Sequence, residues 1–219
     1  MLNEVYEMNP TLDHYLQSLL PPKEDWIIAM EKQAKAERVP IMDPVSMHFL
    51  LQMVHMLQPK HILEIGTAIG YSALRMHTVA PQAKITTIER DDIRFEQASD
   101  HIQSQQKAND IQVMHGDALD ILSELASGTY DLIFIDAAKG QYKHFFNLSI
   151  PLLSEKGVII SDNVLFRGFV SGETKPAKRY EKLTNKIQQY NEWVTSHPKF
   201  NTTIIPIGDG LAISHQNIT

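Results

Sequence analysis

From residue 61 onward, short apolar runs alternate with segments of helical periodicity. Buried strands are predicted at 61–66, 85–89, 111–114, 130–136 and 157–161. Helices are predicted between the first four of these strands, at 72–79, 91–107 and 118–126. Strands that alternate with helices pack as a parallel sheet with helices on both faces. The alternation therefore predicts an α/β fold with a doubly wound sheet.

Helical segments flank this alternation, and a hairpin closes the chain. Apolar side chains recur at helical spacing within 12–20, 26–34 and 47–57, and again along 176–196. Two strand-like runs, 202–207 and 211–214, enclose a glycine turn and are typical of a hairpin. We therefore expect a single domain over 1–219, with a helical cap at 1–60 and an α/β core at 61–219.

Composition excludes several kinds of chemistry. The chain has no cysteine, so disulfides, zinc–thiolate sites, iron–sulfur clusters and cysteine nucleophiles are excluded. Its 20 basic and 26 acidic residues give a net charge of −6, which is not typical of nucleic-acid binding. The first residues lack a basic start with an apolar core, and no apolar run approaches about 18 residues. We therefore expect a cytoplasmic protein with no signal peptide and no membrane contact.

The run Leu63–Ser72 contains a glycine turn between the first strand and a helix, which is the ligand-binding position of an open α/β sheet. Gly66 and Gly70 have G-x-x-x-G spacing, which differs from the spacing that holds a pyrophosphate. Glu64 would repel a phosphate but suits a ligand that carries an ammonium and a sulfonium. That ligand is S-adenosylmethionine. The alternative is a glycine turn that serves only helix–strand packing.

Two further carboxylates follow the next strands. Glu89 ends the second strand, where a carboxylate can accept hydrogen bonds from both hydroxyls of a ribose. Asp117 follows the third strand and is placed to accept from the amino group of an adenine. Each has a structural alternative: Glu89 as a solvated charge beside Arg90, and Asp117 as the N-cap of a helix that begins at Ala118.

The ends of the fourth and fifth strands carry a candidate metal site. Asp136 ends one strand, and Asp162 and Asn163 end the other. Both ends lie on the carboxyl edge of a parallel sheet, so these oxygen ligands suit an octahedral hard cation such as Mg²⁺. Lys139 lies one turn beyond Asp136, where a nearby cation favours the neutral amine and lets it act as a base. Taken singly, each acid is more often a cap or a surface charge.

These motifs together resemble the metal-dependent catechol and caffeoyl-CoA O-methyltransferases. The resemblance rests on Leu63–Ser72, Asp131–Tyr142 and Asp162–Asn163, and it extends over roughly 35–219. It implies a Rossmann-like sheet of seven strands, mostly parallel with an antiparallel last strand. It also implies S-adenosylmethionine as the methyl donor and a divalent metal, Mg²⁺ or Mn²⁺.

Carried over residue by residue, the resemblance gives roles to individual positions. It implies that Asp136, Asp162 and Asn163 bind the metal, and that Lys139 and Asp136 are the catalytic residues. The donor-binding candidates from the strand ends and the resemblance together are Met42, Glu64, Gly66, Thr67, Ser72, Glu89, Asp117, Ala118 and Asp136. One departure is the pair Met47-His48, which stands where the family usually has Gly-Gln, beside the methionine end of the donor.

A metal that binds two adjacent oxygens demands an acceptor with neighbouring oxygens, one of them an acidic hydroxyl. Catechols fit, and so does 5-hydroxyuridine, whose 5-hydroxyl lies beside the O4 carbonyl. The segment 167–186 carries six basic and two acidic residues, a net charge of +4, and could contact tRNA phosphates. Phe166 and Phe169 could stack on a splayed base. The alternative is a solvated helix face with core phenylalanines.

The chain also resembles the bacterial tRNA 5-hydroxyuridine methyltransferases within this family. That resemblance implies methylation at the wobble position to 5-methoxyuridine, with the tRNA anticodon loop as partner. Two alternatives stay open: methylation of a small catechol-like or caffeoyl-type phenol, and a module that binds S-adenosylmethionine without chemistry. We also expect a homodimer, because several apolar side chains near the N-terminus look exposed, namely Tyr6, Met8, Leu12 and Tyr15.

Overall fold

The computed structural model describes residues 10–172 and 174–217. Three helices come first: α1 (Pro10–Ser18), α2 (Asp25–Glu37) and α3 (Pro44–Leu57). Strands and helices then alternate as β1 (His61–Ile65), α4 (Tyr71–Val79), β2 (Lys84–Glu89), α5 (Asp92–Ser104), β3 (Ile111–His115), α6 (Ala118–Ile121), β4 (Tyr130–Ile135), α7 (Tyr142–Ser149), β5 (Leu153–Ser161), α8 (Lys178–Thr195), β6 (Phe200–Ile205) and β7 (Leu211–Gln216). Short 3₁₀ turns lie at Lys139–Gln141, Ile150–Leu152 and Phe169–Ser171.

The seven strands of the described chain form one sheet in the order β3-β2-β1-β4-β5-β7-β6. The strands β1 to β5 run parallel to one another, whereas β7 runs antiparallel to both β5 and β6. This confirms the predicted doubly wound sheet with an antiparallel last strand. The strand order reverses between β1 and β4, and ligands bind such sheets beside the carboxyl ends of the strands at the reversal.

Alternate residues of the central strands point to opposite faces of the sheet. One face carries Ile62 and Phe134 in a core shared with α2, α3, α4 and α5. The opposite face carries Leu63 and Ile133 in a core shared with α7 and α8. Both cores are closed to solvent, as expected for a parallel sheet covered on both faces.

The cap helix α3 is attached to the sheet mainly by burial. The Asp43 carboxylate begins the helix by accepting from the main-chain N–H groups of Val45 and Ser46, both at 3.0 Å. Leu50 and Val54 are fully buried in the core beneath it. Burial of one aliphatic side chain contributes about 1.5–3 kcal/mol to the stability of the folded state, so the buried face of α3 attaches the cap to the sheet.

The structure differs from the sequence prediction in three elements. Helix α6 ends at Ile121, five residues before the predicted end, and β5 begins at Leu153, four residues before the predicted start. Helix α7 was not predicted, although Tyr142, Phe145 and Phe146 have helical spacing and are buried. In residues 10–172 and 174–217, no helix is both long and apolar enough to cross a membrane.

Candidate active site

A cleft of about 1200 Å³ opens at the carboxyl edge of the sheet, over the ends of β1 to β5. Its walls come from the α2–α3 connection, the glycine turn after β1, the segments after β2 to β5 and the β6–β7 turn. The sequence-predicted residues that line it are Met42, Gly66, Thr67, Ser72, Glu89, Asp117, Ala118, Asp136, Lys139, Asp162 and Asn163. The fold therefore brings all of these candidates to one site.

Gly66 lies where the ends of β1 and β4 approach most closely. Its φ of +105° is unfavourable for any residue with a side chain. A Cβ at this position would lie 2.0 Å from the carbonyl oxygen of Asp136. Because there is no room for that atom, only glycine lets the turn lie directly against the end of β4.

Glu64 is the one donor-site candidate that does not reach the cleft surface. It is fully buried, and it accepts hydrogen bonds from the hydroxyls of Ser72 and, at 2.6 Å, of Thr87. The hydroxyls of Thr67 and Thr87 are also 2.6 Å apart. Burial raises the pKa of the Glu64 carboxyl to about 8, against the effect of its two hydroxyl donors. Glu64 therefore does not line the cleft itself, but its hydrogen-bond partner Ser72 does.

Glu89 is fixed in place by main-chain donors. One carboxylate oxygen accepts from the N–H of Ala68 at 2.8 Å, and the other accepts from the N–H groups of Arg90 and Asp91, both at 2.9 Å. These contacts orient the carboxylate at the cleft wall and use three of its roughly four acceptor positions. Glu89 is therefore more ordered than a solvated surface charge, and it keeps an acceptor position for a ribose hydroxyl.

Asp117 serves as a helix cap and also faces the cleft. Its carboxylate accepts from the N–H of Leu119 at 2.9 Å, which begins α6. It lies 3.9 Å from the Arg90 guanidinium, and both it and Ala118 line the cleft. The sequence allows Asp117 to be either a helix cap or an adenine contact. In the structure Asp117 caps α6, and its carboxylate is still accessible to a ligand in the cleft.

The predicted metal ligands come together beyond β4 and β5. Burial raises the pKa of Asp136, and the Lys139 ammonium opposes that shift. Burial also raises the pKa of Asp162 well above its usual range, and the Asp136 carboxylate adds to the effect. The N–H of Asn163 donates to Asp162 Oδ1 at 2.6 Å, and the Lys139 ammonium donates to Asn163 Oδ1. Two carboxyls, an amide oxygen and an ammonium therefore share a small volume.

This donor set fits a hard divalent cation. Burial raises the pKa of both carboxyls, and Asp136 raises that of Asp162 further, so a bound cation would stabilise their ionised forms; amide oxygen is also a ligand that such cations accept. Across the described ranges, no group of three or more His, Cys, Asp or Glu side chains could hold a metal ion. The third protein ligand would be the Asn163 amide, so Asp136, Asp162 and Asn163 are the residues that could hold the cation.

Sequence reasoning missed several residues of the site. Tyr142 is buried below the metal ligands, and its hydroxyl donates to the carbonyl oxygen of Asp162 at 2.9 Å. Tyr71, Asp43 and Asp209 line the cleft. Two of these residues carried a signal. Asp43 precedes a proline that begins a helix, and Asp209 lies between two glycines.

One acceptor-side prediction needs correction, and the Met47-His48 pair expected near the donor can now be placed. Phe166 is buried, and its ring packs edge-on against Phe169 and Tyr180 at centroid distances of 5.6 and 5.8 Å. The expectation that it stacks on a splayed base is therefore wrong, because the ring is already enclosed by the protein. Met47 is fully buried in the core, and neither it nor His48 lines the cleft.

The N-terminal residues expected at a dimer interface are only partly described. Leu12 and Tyr15 of α1 are 51% and 60% exposed, in agreement with their exposed appearance in the sequence. Tyr6 and Met8 lie outside the described residues. The homodimer itself stays a prediction.

A crevice at the strand reversal, a buried carboxyl beside its glycine turn and a fixed acidic residue at the end of β2 are the features expected of a methyltransferase-type donor site. A family model described as O-methyltransferase matches residues 26–217, and the chain belongs to this family. It is an S-adenosylmethionine-dependent O-methyltransferase, which confirms the sequence prediction at that level.

Individual relatives agree with this assignment. A catechol O-methyltransferase from Mycobacterium tuberculosis is 31% identical over 77% of this chain and 78% of its own length. A catechol O-methyltransferase from Niastella koreensis is 29% identical over 98% of this chain and 99% of its own. A solved structure, described as a candidate caffeoyl-CoA O-methyltransferase from Staphylococcus aureus, is 36% identical with a TM-score of 0.88, covering 94% of this chain and all of that one.

Proposed function

We propose that this enzyme methylates the 5-hydroxyl of 5-hydroxyuridine at the wobble position of tRNA, with a divalent cation, Mg²⁺ or Mn²⁺, in the site. The observation that carries the proposal is an exposed basic surface beside Lys139, whose cations form no ion pair with the described carboxylates. Its six cations are all exposed and comprise Arg167, Lys175, Lys178, Arg179, Lys182 and Lys186. Within 10–172 and 174–217, no carboxylate lies within 4.0 Å of any of them.

This surface borders the site directly. A Cβ placed on Gly140, the neighbour of Lys139, would lie 3.4 Å from Lys186 Nζ. Arg167 lines the cleft. A polyanion bound along α8 would therefore run past the catalytic lysine, and one of its nucleosides could enter the cleft. Unpaired cations at such a rim suit phosphate contacts, which position a nucleic acid without reading its sequence.

The reaction transfers a methyl group in line from the donor sulfonium to an acceptor oxygen. The carbon–sulfur bond breaks, a carbon–oxygen bond forms, and the hydroxyl proton leaves. A cation held by Asp136, Asp162 and Asn163 supplies, when bound, charge stabilisation for the ionised hydroxyl. Lys139 can accept the departing proton only as the neutral amine, which a cation beside it favours, and the cleft walls align the two reactants, which accounts for much of the rate enhancement.

A small catechol-like or caffeoyl-type phenol is the second candidate acceptor. It too offers two adjacent oxygens, and the relatives named above are called catechol and caffeoyl-CoA enzymes. In this case the basic surface would be only a solvated helix face. A simple catechol carries no phosphate whereas tRNA does, so these two acceptors make different predictions for the lysines of α8.

The test is methyl transfer from labelled S-adenosylmethionine to 5-hydroxyuridine-containing tRNA and to catechol in parallel, with Mg²⁺ and with chelator. We expect chelator-sensitive label in tRNA. The double charge reversal Lys178→Glu with Lys182→Glu should raise the KM for tRNA about tenfold and lower its salt dependence. Lys156→Glu, an exposed lysine at the opposite edge of the sheet, is the matched control. Label in catechol alone would reject the tRNA proposal.

A further inference from the structure

The β6–β7 turn, residues 206–210, contacts both walls of the cleft. A Cβ on Gly208 would lie 2.0 Å from Asp43 Oδ2, beside the start of α3. A Cβ on Gly210 would lie 2.3 Å from Leu165 Cγ on the opposite wall. The turn is therefore wedged between the cap and the loop that follows the metal ligands, residues 163–172.

Loop 163–172 has an unusual backbone. Asn163, Phe166 and Arg167 have φ values of +56°, +44° and +58°, in the left-handed region that side-chain-bearing residues rarely adopt. Such a conformation persists only where surrounding contacts hold it. Two of these residues, Asn163 and Arg167, also line the cleft, so the strained backbone shapes its acceptor side.

The contacts that hold this backbone come from Asp209 and its neighbour. The Asp209 carboxylate accepts a hydrogen bond from the N–H of Arg167. The Asp209 carbonyl accepts from the N–H of Leu165 at 2.8 Å, and the Gly210 carbonyl accepts from the N–H of Val164 at 3.0 Å. Of these three contacts, only the one to Arg167 is made by a side chain, and it lies at the strained position.

We infer that Asp209 is a positioning residue for the acceptor. Its carboxylate fixes the left-handed Arg167, and through it the wall of the cleft that the acceptor contacts. Asp209 lies on the β6–β7 turn, and its hydrogen bonds within the described residues go to Leu165 and Arg167, not to the glycine turn after β1. Its loss should therefore weaken acceptor binding and leave donor binding unchanged.

Two variants and a control separate this role from general stabilisation. Asp209→Ala removes the acceptor of the Arg167 N–H, whereas Asp209→Asn keeps an oxygen at the same place. Asp131→Ala is the matched control, since Asp131 also accepts main-chain N–H groups, from Lys60 and His61 at 2.8 and 3.2 Å, at the opposite edge of the sheet.

Hydrogen exchange and donor affinity give readouts that need no acceptor. We expect Asp209→Ala to lose amide protection at 164–168, Asp209→Asn to keep it, and both to bind S-adenosylmethionine within about twofold of wild type. The kinetic measurements with a methyl acceptor rest on the proposed function. With the acceptor that takes label, Asp209→Ala should raise KM about tenfold and change kcat far less, while Asp131→Ala leaves KM unchanged.

A double-mutant cycle tests the stated mechanism. Glycine adopts the left-handed conformation freely, so Arg167→Gly should remove most of the exchange defect that Asp209→Ala causes. Additive effects in the cycle would overturn the inference, as would full protection of 164–168 in Asp209→Ala. Weakened donor binding in Asp209→Ala would also overturn it. If neither acceptor takes label, the proposed function fails. Hydrogen exchange and S-adenosylmethionine affinity would still decide the role of Asp209.

Discussion

The donor side and the metal side of the cleft both use carboxylates near strand ends, but the protein holds them differently. On the donor side, Glu64 and Glu89 have every carboxyl oxygen engaged by a hydroxyl or a main-chain N–H. On the metal side, the Asp136 carboxylate raises the pKa of Asp162, and the Lys139 ammonium lowers the pKa of both.

The difference indicates what each side is prepared for. The donor side is complete before a ligand arrives, so its geometry is fixed by the fold. The metal side keeps two buried acids beside a single ammonium, with the pKa of both raised by burial, and a bound cation would stabilise their ionised forms. Substitutions on the donor side should therefore act mainly on stability, and those on the metal side mainly on turnover.

The largest effect is expected from the catalytic pair. Lys139→Ala and Asp136→Ala should each lower turnover by about 10²–10⁴-fold, since a positioned proton acceptor contributes an effect of that size. The folded structure should survive, as judged by circular dichroism and thermal unfolding. Lys143→Ala is the control, because the Lys143 ammonium lies 5.0 Å from the Trp193 ring and away from the cleft. Full turnover in either variant would contradict the site assignment.

The next effect is on the donor-side backbone. Gly66→Ala should lower the free energy of unfolding by about 3 kcal/mol or more, because the new Cβ meets the Asp136 carbonyl oxygen 2.0 Å away. Gly128→Ala is the matched control: its φ is +66°, and a Cβ there meets nothing within 4 Å. Denaturant unfolding of both variants separates the effect of the Cβ–carbonyl clash from that of the positive φ alone. Equal losses of unfolding free energy in the two variants would contradict the packing argument.

A smaller effect concerns the buried Glu64 carboxyl. Its pKa rises from 4.5 in the unfolded chain to about 8 in the folded protein, so between these values only the folded state holds the proton. Stability contributed by this group therefore falls as pH rises through that window, by on the order of 3 kcal/mol between pH 5 and pH 8.

Glu64→Gln removes this titration and should flatten the pH dependence of the free energy of unfolding over that range. Glu155→Gln, an exposed glutamate on β5, serves as the control and should keep the wild-type slope. Parallel slopes for wild type and Glu64→Gln would show that this carboxyl is already ionised in the folded protein.

The strand ends of the site could be predicted from the sequence because they obey local rules. An apolar run that ends in Asp136, or enters Gly66, identifies both the strand and the residue that its carboxyl end presents. The parallel sheet then brings those ends together without further information. The seven-stranded topology followed from the resemblance as well as from the alternation.

The remaining parts of the site depend on contacts distant in sequence. Asp209 contacts Arg167 across 42 positions, and Tyr142 reaches Asp162 across 20. Phe166, in the loop after β5, is buried in part by Tyr180 of helix α8. The sequence suggests that Glu64 faces the ligand. In the structure, its carboxyl instead points into the protein interior, where it accepts hydrogen bonds from Ser72 and Thr87. No local pattern distinguishes these arrangements, because each is decided by which elements pack together.

The smallest effect comes from a single hydrogen bond behind the metal side. Tyr142→Phe removes the donor to the Asp162 carbonyl and should lower the free energy of unfolding by about 1–2 kcal/mol. Tyr190→Phe is a close match, since that hydroxyl is also buried and pairs with Ser161 at 2.6 Å, one residue earlier on β5. If the metal side depends on how Asp162 is held, Tyr142→Phe alone should also weaken Mn²⁺ binding, by about threefold to tenfold in a direct titration. Equal Mn²⁺ affinities in the two variants would mean that the cation itself, rather than the surrounding hydrogen bonds, sets the geometry of that side.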